Sequence, residues 1–255
     1  MDGEPPLRRR LLREAALLAL LWVAYSAGRW VAAQHAGNAF VHADEVWSLE
    51  RLSQLPNEAR LQGWLMRWPI ALRGANSYYA WVHFPATLAC LAWLFVRHPR
   101  HYLWFRRVLA SVTATALVVH LLYPLAPPRM LPQHGFVDTG VRFGQSVYGP
   151  VAGSNGLANQ FAAMPSLHVG WALAVALALA AVTAGRLRLL WFVHPVVTFT
   201  VVVVTANHFW LDGLVSALLV AVAVAVQPWP GVADPEDDDV GAPPDRGPQV
   251  KSAGV

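Results

Sequence analysis

The sequence contains few charges and almost no cysteine or lysine. Its 255 residues include one cysteine, one lysine and only 13% charged residues, against 56% hydrophobic ones. The lone Cys90 excludes an intramolecular disulfide, and because it lies within an apolar run it does not indicate a redox compartment. A chain of this composition is predicted to be an integral membrane protein, with membrane lipids and not nucleic acid as its partners.

Long apolar runs make up most of the chain. Each is about 17 to 22 residues long, the length that crosses a bilayer. Backbone polar groups need internal partners in lipid, so these spans are expected to be helices. The predicted fold is all-α, an integral membrane six-helix bundle with spans at Glu14–Gln34, Tyr78–Arg97, Val108–Ala126, Leu167–Ala184, Leu189–Ala206 and Trp210–Val226.

The two ends of the chain differ from this membrane domain, residues 14–226. Residues 1–13 are basic, and no clear cleavage site follows the first apolar run, so that run is expected to be an anchor and not a signal peptide. Residues 227–255 combine prolines with an acidic run, and such a tail is predicted to be disordered. No internal repeat is evident, which favours a single membrane domain.

Arginine clusters predict the orientation, because Lys and Arg beside short loops favour the cytoplasm. Six spans place three clusters on that side: Arg8, Arg9, Arg10 and Arg13; Arg97, Arg100, Arg106 and Arg107; Arg186 and Arg188. Both termini are then cytoplasmic in a multi-pass cell-membrane protein, and residues 35–77, 127–166 and His208 lie outside. A seventh span at Leu61–Leu72 would be short and contain Arg67, so this segment is expected to be an outer interfacial amphipathic helix with Trp64 and Trp68 at the headgroups.

Two histidines and a carboxylate are predicted to meet at the outer surface. His168 lies at the entry of the fourth span and His208 at the exit of the fifth. Asp212 lies four residues after His208, one helical turn away, where it could orient the imidazole as a nucleophile. Pro165 and Ser166 form a helix start, with Ser166 able to cap the helix and present backbone N–H groups to an anion.

The proline-rich segment Tyr123–Pro132 is expected to stop the third span and hold Arg129 just beyond the membrane edge. An arginine there can bind two phosphate oxygens at once. Asp138 follows in the same loop, where it could cap a turn or bind a substrate hydroxyl, and the sequence favours neither.

These motifs resemble those of the type 2 phosphatidic acid phosphatase superfamily. Pro165, Ser166 and His168 match its second block, and His208 with Asp212 match its third. The resemblance implies that His208 attacks phosphorus, Asp212 orients it, His168 protonates the leaving oxygen and Arg129 clamps the phosphate. The stretches Pro127–Pro132 and Gly135–Thr139 look like the subfamily grouped with inositol phosphorylceramide synthases and bacterial homologues.

Two phosphate-binding cations of the larger superfamily are absent. Leu122 stands where its first block has a lysine, and Val201 and Val202 stand where its third has Ser-Arg. The loss favours a phosphodiester over a dianionic monoester, and other arginines could supply charge. The candidates are Arg142 first, then Arg60, Arg67 or Arg73.

The predicted function is therefore a metal-independent phosphatase or phosphotransferase acting on a lipid-linked phosphate through a phosphohistidine, without a cofactor. Headgroup transfer of inositol phosphate between lipids is an alternative. So are a non-catalytic lipid-binding protein and a metal-dependent enzyme or transporter using the two histidines and Asp212. The lipid, the acceptor and a possible homo-oligomer stay open.

The remaining polar residues are expected to have ordinary roles. Lone histidines at helix ends are typically interfacial. Glu50 and Glu58, on the outer segment, are expected to be solvated, although the resemblance to the superfamily hints at a structural role for them. The histidines concerned are His120, His134 and His194.

Overall fold

The computed structural model describes residues 38–143 and 160–230, together with 8–9, 12–16, 19–20, 23 and 26–27. Every regular element in these residues is helical, which confirms the all-α prediction. The α-helices are α1 Ala39–Leu52, α2 Glu58–Leu65, α3 Pro69–Trp81, α4 His83–Arg97, α5 Pro99–Leu122, α6 Thr139–Phe143, α7 Leu167–Val182, α8 Val193–Val204 and α9 Trp210–Val226. Short 3-10 helices cover Pro128–Met130, Pro132–His134 and Arg186–Phe192.

The apolar helices are those of a multi-pass membrane protein. Pro99–Leu122 and Arg186–Val204 are each long and apolar enough to cross a bilayer, and α3 with α4 passes the same test as a pair bent by 45°. Helices α7 and α9 are equally apolar but have 16 and 17 residues. A helix of that length is about 25 Å long, slightly less than the apolar thickness of about 30 Å.

The prediction that residues 98–107 form an arginine-rich loop between the second and third spans is wrong. Helix α5 begins at Pro99 and not at Val108, so only His98 separates it from α4, and Arg106 lies within the helix. Proline is well suited to the first position of a helix, where its missing N–H is not needed. The Arg106 guanidinium pairs with the Glu14 carboxylate, which makes a charged residue tolerable there.

The predicted interfacial helix at Leu61–Leu72 is two helices instead of one. Helix α2 ends at Leu65, and α3 starts at Pro69, whose ring cannot continue a preceding helix. Trp64 and Trp68 flank this break with 60% and 61% of their surface exposed. Most of the predicted first span and most of the predicted tail lie outside the described residues, although Gln227 donates to Ser111 and Trp229 packs on Trp104.

The main core lies where α4, α5, α7 and α9 pack together. It is built from large residues of α5, such as Phe105 and Val108, against small residues of α7, such as Ala174 and Ala178. Helices α7 and α9 approach closely at Gly170, where an added Cβ would lie 2.5 Å from Ser216 Oγ. An alanine at this crossing would therefore displace the Ser216 side chain or push the two helices apart.

The helix directions place the candidate residues at one end of the bundle. Helices α5 and α8 end where α7 and α9 begin, and the segment that follows α5 contacts the end of α8 through Arg129 N–H and Ala206 O. Helix α1 covers this end in a second core cluster with Leu125, Leu131 and Phe209. The motifs that are separated in sequence thus converge in one region.

Candidate active site

His208 lies between α8 and α9 with its tautomer fixed by the backbone. Its Nδ1 is 2.8 Å from the carbonyl oxygen of Ala163 and 3.2 Å from Asp212 Oδ2. A carbonyl oxygen only accepts hydrogen bonds, so Nδ1 carries the proton and Nε2 keeps its lone pair. Burial and the nearby Arg129 lower the pKa of His208 to about 3, which keeps the ring neutral. A neutral imidazole of this tautomer can act as a nucleophile at Nε2.

A tight turn after α8 carries His208 into this position. Ala206 adopts a left-handed conformation with φ of 56°. The turn lets the N–H groups of Asn207 and His208 both donate to Val202 O, at 2.9 and 3.1 Å. Asp212 Oδ2 then accepts from Phe209 N–H at 2.8 Å and caps α9. Asp212 therefore closes the helix start and contacts His208 with the same oxygen.

Ser166 attaches the start of α7 to α9. Its N–H donates to Asp212 O at 3.0 Å, and its carbonyl accepts from Ser216 Oγ at 2.7 Å. Its Oγ caps α7 by accepting from Val169 N–H at 3.5 Å, as the sequence predicts. Because Ser166 is completely buried and these groups are engaged, a phosphate at this helix start would contact N–H groups of the first turn instead.

This attachment brings His168 to His208. The centroids of the two imidazole rings are 5.8 Å apart, with 57° between their planes. The predicted proton donor and the predicted nucleophile therefore lie at the same site. Their rings are close enough for both to contact one phosphoryl group.

Tyr79 and His83 form a wall of the site that the sequence analysis missed. The Tyr79 ring stacks on the His168 ring with 4.4 Å between centroids, and the centroid of the His83 ring lies 4.5 Å from that of His168. The two residues are four apart and lie on either side of the break between α3 and α4. Asn76, one turn earlier, bonds Thr139 and holds this face toward the site. That periodic polar face within an apolar run is the signal that could have revealed them.

Arg129 reaches the site from the 3-10 helix Pro128–Met130. Its NH1 donates to Asn207 Oδ1 at 2.9 Å, and its Nε lies 3.4 Å from Asp138 Oδ2. Asn207 is a further residue missed by the sequence analysis. Its Nδ2 donates to Thr205 Oγ1, which itself donates to Val201 O, so the Asn207 carbonyl oxygen must face Arg129.

Asp138 has both a turn-capping and an electrostatic contact. Its Oδ1 accepts from Val141 N–H at 2.9 Å, and its Oδ2 faces Arg129. About a third of its side chain is exposed, so Asp138 places a negative charge at the rim of the site.

The other arginines proposed from sequence are all exposed. The guanidinium carbon of Arg142 lies over the Phe143 ring, 5.5 Å from the ring centroid. The four exposed residues are Arg60, Arg67, Arg73 and Arg142.

The lone histidines bind structural partners. His120 is buried, with Nε2 3.4 Å from Pro165 O, His134 pairs with Asp44 at 2.6 Å, and His194 bonds Tyr78 at 2.8 Å. The expectation that Glu50 and Glu58 are solvated is wrong, since both have 0% exposure. Their helices were assigned to an outer segment, but these faces pack inward against α9 and Arg51.

Within the residues that the structure describes, no three His, Cys, Asp or Glu side chains are arranged to hold a metal ion. A family model described as the PAP2 superfamily matches residues 44–226, a segment that contains all of the predicted site residues. No curated protein and no solved structure matches the chain. The superfamily resemblance drawn from the short motifs is thereby confirmed.

Proposed function

The chain belongs to the PAP2 superfamily, and we propose that it is a metal-independent membrane enzyme that cleaves a phosphate ester of a lipid through a phosphohistidine on His208. The observation that supports this most strongly is the hydrogen bond from His208 Nδ1 to Ala163 O, because it leaves Nε2 unprotonated. His168, 5.8 Å away between ring centroids, is the proton donor for the leaving group.

The first step forms the phosphohistidine. The Nε2 lone pair of His208 attacks phosphorus, the bond from phosphorus to the lipid oxygen breaks, and His168 gives its proton to that oxygen. Arg129 and N–H groups at the start of α7 stabilise the charge on the non-bridging oxygens. Asp212 stabilises the positive charge that develops on the His208 ring.

The second step returns the enzyme to its starting state. His168, now neutral, takes a proton from water or from an acceptor alcohol, whose oxygen attacks phosphorus. The bond from phosphorus to Nε2 breaks, and its electron pair returns to His208. Water makes the protein a phosphatase, and an alcohol makes it a phosphotransferase.

Asp138 favours a second candidate function, transfer of a phosphodiester headgroup. The carboxylate of Asp138 lies 3.4 Å from Arg129 Nε and offsets part of the positive charge that Arg129 brings near His208. A phosphodiester carries one less negative charge than a monoester, so it would need fewer cations. We propose on this basis that the chain is similar in activity to the inositol phosphorylceramide synthase group, with a polyol headgroup as donor or acceptor.

The orientation belongs to the same proposal. The site would lie at the extracytoplasmic face, with both termini in the cytoplasm, so that a lipid phosphate in the outer leaflet reaches His208 laterally.

The test is phosphate release and headgroup exchange by purified protein in lipid micelles, across a panel of lipid phosphates and phosphodiesters with chelator present. We expect wild type to react and to be trapped as an acid-labile, alkali-stable phosphoprotein. His208→Ala should lose both properties. His98→Ala is the matched control, because His98 follows the end of α4 that lies away from the site. This variant should keep both turnover and the phosphoprotein.

Chelator-sensitive turnover would instead support the metal-dependent alternative. Lipid binding without turnover or phosphoprotein would support the non-catalytic one. Either result would reject the phosphohistidine route.

A further inference from the structure

Two buried carboxyl groups, Glu50 on α1 and Glu58 on α2, lie beside the start of α9 and take no part in the proposed reaction. Both have 0% exposure. Glu50 Oε1 accepts a hydrogen bond from Leu211 N–H at 2.7 Å. Leu211 immediately precedes Asp212, so Glu50 holds the backbone next to the predicted partner of His208.

One cation serves both carboxyl groups. Arg51 NH2 lies 2.8 Å from Glu58 Oε2 and 3.7 Å from Glu50 Oε2. Asp212 on α9 also acts electrostatically on Glu50, which adds a third carboxyl to the region. A single guanidinium does not neutralise three buried carboxylates, and like charges out of water cannot all stay ionised.

The second oxygens of the Glu50 and Glu58 carboxyl groups indicate that the two groups share a proton. Glu50 Oε2 and Glu58 Oε1 are buried, and no N–H or hydroxyl group of the described residues bonds to them. Two carboxylates only accept hydrogen bonds, so they can bond to each other only if one is protonated. Burial, together with the hydrogen bond to Glu58 and the charges of Glu58 and Asp212, raises the pKa of Glu50 to about 9.

We propose that Glu50 is a neutral carboxylic acid that positions the start of α9 for the reaction. Its carbonyl oxygen accepts from Leu211 N–H, and its O–H donates to the ionised Glu58, which is paired with Arg51. The inference rests on the proposed function, because the position of α9 matters through the contact between Asp212 and His208.

The attachment of α9 explains why this acid affects His208. The N–H groups of Phe209 and Leu211 bond to Asp212 and Glu50, and the Trp210 indole N–H donates to Pro56 O at 2.9 Å. The first turn of α9 is thus fixed to the segment that joins α1 and α2. Loss of the Glu50 contact would let Asp212 move relative to His208, whose Nδ1 is held independently by Ala163.

Substitutions at Glu50 separate a neutral acid from a required negative charge. The amide of Glu50→Gln has the same shape as the protonated acid, with an oxygen for Leu211 and an NH2 group for Glu58. We expect Glu50→Gln to keep kcat within about threefold of wild type, whereas Glu50→Leu lowers kcat by about 10²-fold with little change in KM. Glu45→Gln, which removes a carboxylate from the exposed side of the same helix, is the matched control.

The opposite pattern would overturn the inference. If Glu50→Gln is as inactive as Glu50→Leu, or fails to fold, then the charge of Glu50 and not its neutral form is needed. If Glu50→Leu is fully active, Glu50 does not position α9.

Infrared spectroscopy tests the same inference without an activity assay. Wild type and Glu45→Gln should show the C=O stretch of a protonated carboxylic acid at neutral pH, and it should disappear as the pH rises through about 9. Glu50→Gln should lack this band. In plots of log kcat against pH, wild type should show an additional downward break near that pH, which Glu50→Gln lacks.

The two proposals fail separately. An active wild type without the acid band would overturn the role of Glu50 alone. A wild type with the band but without turnover or phosphoprotein would overturn the proposed function alone.

Discussion

The hydrogen bonds of His208 divide two tasks between two acceptors. The carbonyl of Ala163, at 2.8 Å, fixes the proton on Nδ1, and the carboxyl of Asp212, at 3.2 Å, is the group proposed to stabilise positive charge on the ring during the reaction. Where an aspartate alone fixes the tautomer of a catalytic histidine, the amide variant costs about 10⁴-fold in kcat. Here the tautomer does not depend on Asp212, so the two contributions can be measured separately.

Asp212→Asn should lower kcat by about 10²-fold, less than loss of the tautomer would cost. The carbonyl oxygen of the introduced amide can still accept from Phe209 N–H and His208 Nδ1–H, so the geometry is kept while the negative charge is lost. The measurement is kcat and KM for the best substrate, together with the ¹⁵N shifts of His208. Those shifts should still report a neutral ring with the proton on Nδ1.

Asp44→Asn is the control for this prediction, because it removes a carboxylate from an exposed histidine pair, with His134. It should leave kcat unchanged. A shift of the His208 proton to Nε2 in Asp212→Asn would show that Asp212, and not Ala163, fixes the tautomer.

Motif spacing predicted His168, His208, Asp212 and Arg129 as a group, and the structure brings these four together. Motif spacing could not predict the role of Ala163, because a contact made by a backbone carbonyl leaves no signal in the side chains. It also missed Asn207, whose role depends on the orientation of its amide. Glu50 was misjudged because burial of a carboxyl depends on tertiary packing that a short outer segment does not reveal.

At the level of helices, the contact between α7 and α9 sets the distance between His168 and His208. Ser166 bonds to α9 through both its N–H and its carbonyl, and Gly170 allows the two helices to approach one turn later. The position of His168 therefore depends on packing below the site as well as on the helix cap.

Gly170→Ala should destabilise the protein by about 1–3 kcal/mol and lower kcat, because its Cβ would overlap Ser216 Oγ at 2.5 Å. Ser216→Ala removes that atom, so the double variant should be more stable than the sum of the two single losses predicts. Unfolding in micelles gives the free energies for this cycle.

Gly74→Ala provides the matched control, since nothing lies within 4 Å of an added Cβ there. Alanine is favoured over glycine within a helix, so stability should be unchanged or rise by about 0.5–1 kcal/mol. Simple additivity of the Gly170 and Ser216 losses would show that the two side chains do not compete for space.

Apolar length predicted the positions of α7 and α9 well, because a long apolar run has few alternatives to a helix. The breaks were harder to predict. Pro69 and Pro99 begin helices, and Pro85 lies in the first turn of α4, three residues after the break between α3 and α4 at Val82. A proline ring clashes with the carbonyl four residues earlier, here that of Trp81, so this break has a local cause that the count of apolar residues does not reveal.

At the scale of the whole molecule, the charged residues divide between the two ends of the bundle. Arg97 ends α4, Arg100 lies in the first turn of α5, and Arg186 and Arg188 follow α7. Helices α5 and α8 end beside His208, and all four arginines lie at the opposite end of the bundle. Because arginine beside short loops favours the cytoplasm, the bundle should be oriented with the site outside.

Cysteine labelling can measure this orientation, because the chain has a single native cysteine and Cys90 is buried. In a Cys90→Ala background, Gln133→Cys places an exposed thiol at the end with the site, and Arg188→Cys places one at the other end. We expect a membrane-impermeant maleimide to label Gln133→Cys in intact cells and Arg188→Cys only after permeabilisation. Since both positions are exposed, a difference reports the side of the membrane and not burial. The reverse pattern would place His208 in the cytoplasm and restrict its substrates to lipid phosphates of the inner leaflet.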